Sequence, residues 1–336
     1  MANIGYIQVV RHCNQACGFC SNPTTPYVHS FEDIRGLIDD FVERGYFGII
    51  LTGGEPTLSP ILPEIIRYAR TTSLHVRMIT NGQLLEDPEV ARELAEAGLQ
   101  HAHVSIYSVR PDLEDWLRGS RGSLRKATAA LKNLDAAGVA CNINQVINKF
   151  NADHLDENVR YHTKNFPFVR HYVWNNLDPD LGKASENQFF TPRLADFEVS
   201  LLRAMRHLEA HGCTFRVERV PLCYMTEYAH CSTETRKIVK DEERIVHFLD
   251  EKGSVRQTEW GHLYAECCGQ CRLRSICGGL YERGNAYDPA ELYPVFVDPR
   301  PIVERIRTDL RGDPSYRYQG EGLVSTLPAP HTGVDA

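Results

Sequence analysis

Residues 4–20 read Ile4-Gly5-Tyr6-Ile7-Gln8-Val9-Val10-Arg11-His12-Cys13-Asn14-Gln15-Ala16-Cys17-Gly18-Phe19-Cys20. The first seven form an apolar run of strand length. The loop after them carries thiols at Cys13, Cys17 and Cys20, in the spacing Cys-x3-Cys-x2-Cys. Three thiolates on one short loop can hold three irons of a four-iron cluster and leave the fourth iron open. An open metal position separates a site that binds and activates a ligand from a closed structural one. A zinc site is the competing reading of the triplet.

Outward from this stretch, short apolar runs alternate with amphipathic ones as far as about residue 220. Strands are expected over 4–10, 48–52, 74–80, 101–106, 139–147, 168–174 and 214–220. Helices are expected over 31–44, 60–71, 88–97, 123–137, 152–165 and 192–211. Within the first helix, Ile34, Leu37, Ile38, Phe41 and Val42 recur at helical spacing. Repeated strand-helix units imply parallel strands with right-handed crossovers. The fold class is therefore α/β, either an open doubly wound sheet or a barrel, complete or partial. In each, ligands bind at the carboxyl ends of the strands. The suggestive residues fall there: the thiol loop after strand one, Gly53-Gly54-Glu55-Pro56 after strand two, Asn81-Gly82 after strand three, and Ser105-Ile106-Tyr107-Ser108 closing strand four. Each has a plainer reading. The glycine motif and Asn81-Gly82 are also turn signals, and Ser105 is also a strand hydroxyl. Their convergence on one rim marks a site.

With those motifs in view, residues 4–220 resemble the radical S-adenosylmethionine (radical SAM) superfamily. The resemblance implies a partial (β/α)6 TIM-like barrel with a [4Fe–4S] cluster on Cys13, Cys17 and Cys20. Its open iron takes S-adenosylmethionine, whose reductive cleavage gives a 5'-deoxyadenosyl radical that abstracts a hydrogen atom. It further implies Phe19 near the adenine, Gly53 and Gly54 at a close backbone approach, and Glu55 accepting from the ammonium group. Asn81 joins the cofactor site, and Ser105 and Lys126 meet the methionyl carboxylate; Lys126 also reads as a solvated helix position. The fifth strand, Asn142-Ile143-Asn144-Gln145-Val146-Ile147-Asn148, departs from the Gly-x-Ile-x-Gly-x-x-Glu pattern, leaving Asn144 as its candidate contact.

Periodicity weakens after residue 220 and cysteines return. Cys268, Cys271 and Cys277 are spaced Cys-x2-Cys-x5-Cys and precede Gly278-Gly279, which resembles the core of SPASM and twitch domains. With Cys223 they imply one auxiliary [4Fe–4S] cluster, twitch-like, because Tyr281 stands where a further cysteine would continue the pattern. Cys231 and Cys267 are spares, as replacement ligands or hydrogen donors, and a zinc knuckle is the alternative. Cys141 and Cys213, at strand starts, read as buried small apolar residues. The chain is thus expected to divide into a barrel over 1–220 and an iron–sulfur-stapled domain over 221–296. A C-terminal segment over 297–319, with a helix near 302–311, and a mobile tail over 320–336 complete it.

The composition, 42% hydrophobic and 24% charged, is that of a globular protein, and the net charge of −7 gives no general attraction to nucleic acid or anionic membrane. No apolar run approaches the ~18 residues of a membrane span. Eleven clustered cysteines without an export signal point to metal sites in a reduced, cytoplasmic setting. The expected function is an oxidoreductase-type radical enzyme acting on a small natural-product intermediate derived from a sugar, nucleoside or amino acid. Flavodoxin or ferredoxin is its expected electron donor. Two features favour the small substrate: the triplet begins at residue 13, without the ~80-residue leader-recognition domain of many peptide maturases, and one auxiliary cluster is counted. A peptide maturase making a crosslink, epimer or decarboxylated residue is the alternative. A zinc-stapled binding protein is the third.

Overall fold

A computed structural model describes residues 3–22, 29–249, 253–281 and 286–309. The tail over 320–336 and the last residues of the helix expected near 302–311 lie outside these. Seven parallel strands run in sequential order: β1 (Ile4–Val10), β2 (Gly48–Gly53), β3 (His75–Thr80), β4 (His101–Ser105), β5 (Ala140–Ile147), β6 (His171–Asn176) and β7 (Thr214–Glu218). An order that never reverses carries every crossover to the same side, which winds a barrel; a doubly wound sheet reverses its order. The fold is a mixed α/β sheet of the partial TIM type, and its hydrogen bonding does not close.

The helices are α1 (Phe31–Glu43), α2 (Leu62–Thr71), α3 (Pro88–Ala97), α4 (Pro111–Arg118), α5 (Ser123–Ala136), α6 (Leu155–Asn165), α7 (Gly182–Glu186), α8 (Leu194–Ala210), α9 (Thr233–Lys240) and α10 (Arg300–Thr308). Helix α1 shows how the pattern acts. Ser30 and Asp33 close a capping box at its start, and Ile34, Ile38 and Phe41 are buried along one face. Each such side chain contributes about 1.5–3 kcal/mol on leaving water. Sequence periodicity anticipates neither α4, α7 and α9 nor a hairpin of β8 (Arg244–His247) and β9 (Ser254–Gln257). Strand β8 pairs parallel to β1, through Tyr6 with Val246 and Ile7 with His247, and β9 runs antiparallel to β8. Residues 244–257 therefore extend the same sheet.

Alternation separates the two faces of each strand. On β3, Val76 and Met78 are buried in the apolar core, while His75, Arg77 and Ile79 face the other way and are half-buried. On β4, His101 and His103 alternate with Ala102 and Val104, and their rings stack at 5.2 Å. Burial, followed by the charge of Arg77, pushes the His75 imidazole down to about 3 and His101 to about 4. His103 is held well below its usual range by burial and then His101. These imidazoles are neutral at pH 7.

Strands β7 and β8 lie on opposite sides of the sheet order, yet Arg244 Nη1 and Nη2 donate to Glu218 Oε1 and Oε2 at 2.8 and 3.3 Å. The sheet curls far enough for this two-point pair to span the gap between them. The Glu234 carboxylate of α9 accepts from the Arg219 amide at 3.0 Å beside the same gap. Among the described residues no helix is long and apolar enough to cross a membrane.

Candidate cofactor site at the barrel rim

Strand β2 ends against the exit of β1. A Cβ on Gly53, at φ 129°, would stand 2.1 Å from the Val10 carbonyl oxygen, and one on Gly54 2.0 Å from that of His12. Only glycine permits this approach. The Gly54 amide then donates to Val10 O (2.7 Å) and the Glu55 amide to His12 O (3.1 Å). The close approach expected of these glycines is thus made with the chain's own β1 exit.

Glu55 is aimed inward and is 1% exposed. Its Oε1 accepts from the Thr57 amide (3.2 Å), Thr57 Oγ1 (2.7 Å) and Thr80 Oγ1 (2.7 Å), and its Oε2 from the Asn81 amide (2.7 Å). Burial raises its pKa against these bonds. Oε2 takes only one of these bonds, which leaves it a lone pair for a ligand ammonium. Asn81 continues the chain: its Nδ2 donates to Cys13 Sγ (3.6 Å) and Asn14 Oδ1 (2.7 Å), and its Oδ1 accepts from the Gln83 amide (2.9 Å). Motifs after β1, β2 and β3 thereby meet in one hydrogen-bonded set.

Cys13 is exposed, and Cys17 and Cys20 are half-buried. Burial pushes all three thiols up, Cys17 to about 12, and Cys13 and Cys20 add to the shift at Cys17. Three such neighbours become thiolates together only where positive charge sits among them, which suits an iron-rich group. Among the described residues, no three or more His, Cys, Asp or Glu side chains close around a single ion. A cluster, by contrast, spreads its thiolates over several metal atoms.

The loop is clamped from α4, a part played by residues that motif reading missed. The Ala16 amide donates to Arg118 O at 2.9 Å. The Arg118 side chain, fully buried, pairs with fully buried Glu114 and donates through Nη1 to Gln15 Oε1 (2.7 Å) and through Nη2 to Ser105 O. Its guanidinium lies 4.5 Å from the Tyr107 ring centroid. Glu114 Oε2 accepts from the amides of Tyr107 (3.0 Å) and Ser108 (2.7 Å). The only sequence signal is a Glu–Arg pair at i,i+4, which usually sits in solvent.

Phe19 is buried, edge-on to Tyr107 at 4.8 Å and 5.6 Å from Phe190. Ser105 and Asn144 are register partners on β4 and β5, and Asn144 Oδ1 accepts from Asn175 Nδ2 at 2.9 Å. Lys126 sits half-buried in the first turn of α5. No hydrogen bond or ion pair among the described residues ties its ammonium to the triplet.

The C-terminal cysteines form a second gathering. Cys223 lies in the turn Leu222–Tyr224, Cys267 and Cys268 in Glu266–Gln270, and Cys271 and Cys277 on either side of Arg274–Ile276. After burial, the Cys223 thiol is raised chiefly by Cys277 and Cys268, to about 12. Cys271 and Cys268 likewise raise Cys277. The Val295 amide donates to Cys271 Sγ and the Gly279 amide to Cys277 Sγ, both at 3.3 Å. Cys267 instead turns its thiol to Leu292 O (3.3 Å), while Cys231, Cys141 and Cys213 lie in the apolar core.

Residues 177–190 join the two gatherings. At one end, Tyr281 Oη donates to Asp178 Oδ2 (3.1 Å) and Tyr287 Oη to Leu177 O (2.6 Å). At the other, the Lys183 amide donates to Cys20 O (2.8 Å) and Asn187 Nδ2 to Gly18 O (3.0 Å).

Residues 7–161 match the Radical SAM superfamily model, so the chain carries a radical SAM domain. That superfamily uses a [4Fe–4S] cluster held by three cysteines together with S-adenosylmethionine. The chain is 32% identical over 153 residues to PqqA peptide cyclase of Xanthomonas campestris pv. campestris, covering 44% of this chain and 40% of that protein. It is 34% identical over 154 residues to AdoMet-dependent heme synthase of Oleidesulfovibrio alaskensis, covering 45% and 39%. The chain thus spans about two fifths of the length of these curated relatives. Among solved structures, Streptococcus suis SuiB bound to S-adenosylmethionine has a similar fold, with TM-score 0.64 and 15% identity over 88% of this chain and 76% of that one.

Proposed function

We propose that this chain, with its radical SAM domain over residues 7–161, is a radical SAM enzyme that modifies a peptide. Cys13, Cys17 and Cys20 would hold the cluster, with Phe19, Gly53, Gly54, Glu55, Asn81, Ser105, Lys126 and Asn144 as candidates around S-adenosylmethionine. When bound, the cluster and S-adenosylmethionine together supply a 5'-deoxyadenosyl radical that removes a hydrogen atom from substrate. The observation that carries the reading is the hydrogen-bond chain from Thr80 through Glu55 and Asn81 to Cys13, which unites three motifs at one strand end.

In this reading Asn81 steadies the Cys13 sulfur, and the buried Glu114–Arg118 pair fixes the loop against α4. Phe19 and Tyr107 keep water from the inner side of the triplet. Cys223, Cys268, Cys271 and Cys277 would hold one auxiliary cluster in a domain over 221–296, beside a barrel over 1–220. The small-molecule reading came first from sequence. Similarity to PqqA peptide cyclase, and in fold to SuiB, also solved with its precursor peptide SuiA, favours the peptide reading over it. Similarity to AdoMet-dependent heme synthase supports a small-molecule substrate as the second reading.

Anaerobic reconstitution followed by incubation with deuterated substrates tests both. About eight irons per chain are expected, with label from a precursor peptide appearing in 5'-deoxyadenosine. Label from small molecules alone would move the function to the second reading, and a protein without iron would end both.

A further inference from the structure

We infer that a polar layer inside the barrel, His103, Asn142 and His171 with the Arg77 cation one layer below, holds an oxyanion group of the substrate, a carboxylate or a phosphate. The inference rests on the radical SAM reading above and concerns the chemistry of what that site takes. In register, His103 of β4 faces Asn142 of β5, Asn142 faces His171 of β6, and His171 faces Thr214 of β7. All four lie on the strand faces turned away from the helix-covered core. Barrel interiors are ordinarily packed with branched apolar side chains, whereas this layer carries two imidazoles and an amide. Neighbours hold it in place: His103 Nδ1 meets Asn142 Nδ2 at 3.4 Å, and His171 Nδ1 meets Thr214 Oγ1 at 2.7 Å.

His103 is 7% exposed, and its Nε2 is buried with no hydrogen-bond partner among the described residues. Buried polar groups of this kind are ordinarily satisfied, so the ring nitrogen suits a hydrogen-bonding occupant. The charges around it select the sign of that occupant. Arg77 of β3 faces His101 of β4 in register, and the His75 ring lies 6.2 Å from that of His101. Among the described residues, the leading charges acting on His75, His101 and His103 are those of Arg77, Arg70 and the neighbouring imidazoles, with no carboxylate among them. The carboxylates of β7 and the chain end are engaged elsewhere. Glu218 accepts from Arg244 at 2.8 and 3.3 Å, and Asp309 pairs with Arg236 at 2.8 Å. A metal cation would be repelled by Arg77, whereas an anion finds a cation and ring N–H donors together. The layer is also well placed for a substrate. His103 precedes Ser105 by two residues on the same strand face, about 7 Å below it. A molecule held there by its anionic end extends toward the rim, where the candidates for S-adenosylmethionine converge.

Nuclear magnetic resonance of the imidazoles in the reconstituted full chain, titrated with inorganic phosphate and separately with acetate, tests the assignment. The His103 signal, identified by its loss in His103→Leu, should shift saturably with at least one probe, and the tighter probe identifies the group. Arg77→Gln should weaken that binding about tenfold, the scale of a charge-assisted hydrogen bond, and Arg77→Lys should restore most of it. A substrate that passes label to 5'-deoxyadenosine should displace the probe from His103. A His103 signal that neither probe moves would mean ordered water only and overturn the proposal. Binding that Arg77→Gln leaves unchanged would overturn it, as would a substrate that transfers label without displacing the probe. The titration needs neither S-adenosylmethionine nor a reductant. A chain that binds phosphate yet forms no 5'-deoxyadenosine with dithionite would therefore count against the radical SAM reading, while the shifts would still report on the layer.

Discussion

At the barrel rim Cys13 Sγ takes a side-chain amide, that of Asn81, beside a backbone bond from Gln15. In the C-terminal region the donors are backbone amides, from Gly279 and Val295. A side chain can turn away when a ligand arrives, whereas a backbone N–H moves only with the chain. The rim thiols also include exposed Cys13, while residues 292–295 lie across the C-terminal set through Leu292, Tyr293 and Val295. The difference is that between a loop with one thiol in solvent and a set crossed by a second segment of chain.

Paired cysteine variants put that contrast at greatest risk. Cys17→Ala should reduce dithionite-driven 5'-deoxyadenosine formation to background while the far-UV circular dichroism stays native. Cys271→Ala should lower the iron content from about eight to about four per chain and leave measurable cleavage of S-adenosylmethionine. Equal loss of cleavage in the two would erase the distinction. A smaller effect concerns what holds each region. Arg118→Ala strands a buried carboxylate at Glu114 and should cost about 3–5 kcal/mol in urea unfolding, with Glu114→Gln/Arg118→Met recovering most of it. Its C-terminal counterpart, Tyr293→Phe, removes hydroxyl bonds to Cys223 O and Glu198 and should cost about 1 kcal/mol or less.

The smallest effect separates the barrel from its appendage by pH. His75, His101 and His103 titrate below the ordinary 6.5 when folded, so the unfolded chain takes protons first as pH falls. Their neutral burial is fully tolerated above pH 6.5 and costs stability progressively down toward pH 3. Glu55 and Glu114, whose pKa values burial raises, act in the opposite sense at the acid end. The urea midpoint should fall across this range, and His103→Gln should flatten the slope. An unchanged slope would remove the imidazoles from the account.

The seven parallel strands and the rim motifs were legible because a repeating period and glycine at strand ends are local signals. Strand β6 was expected over 168–174 and is found at His171–Asn176. Its apolar start, Phe168 and Val169, packs into the core ahead of the ladder. Arg118 and Glu114 were illegible because nothing in an i,i+4 pair tells that tertiary packing will bury both. The side-chain donors to Glu55, the hydroxyls of Thr57 and Thr80, carry no periodic signal. Strand β8 has four residues, too few for a period, and its partner β1 is more than two hundred residues away. The expected order of substrate classes came from counting clusters and from the position of the triplet. Neither touches the surfaces that recognise a substrate, and similarity to peptide-modifying proteins reverses that order.

The hairpin of β8 and β9 has a consequence for anyone who would isolate the first half of the molecule. With residues 244–257 removed, the outer margin of β1 would present bare amides and carbonyls at Tyr6 and Ile7 to any passing strand. A fragment ending near residue 220 would keep every rim motif and still be prone to stick to its own kind. The late hairpin acts as a guard rail for the first strand of the sheet order.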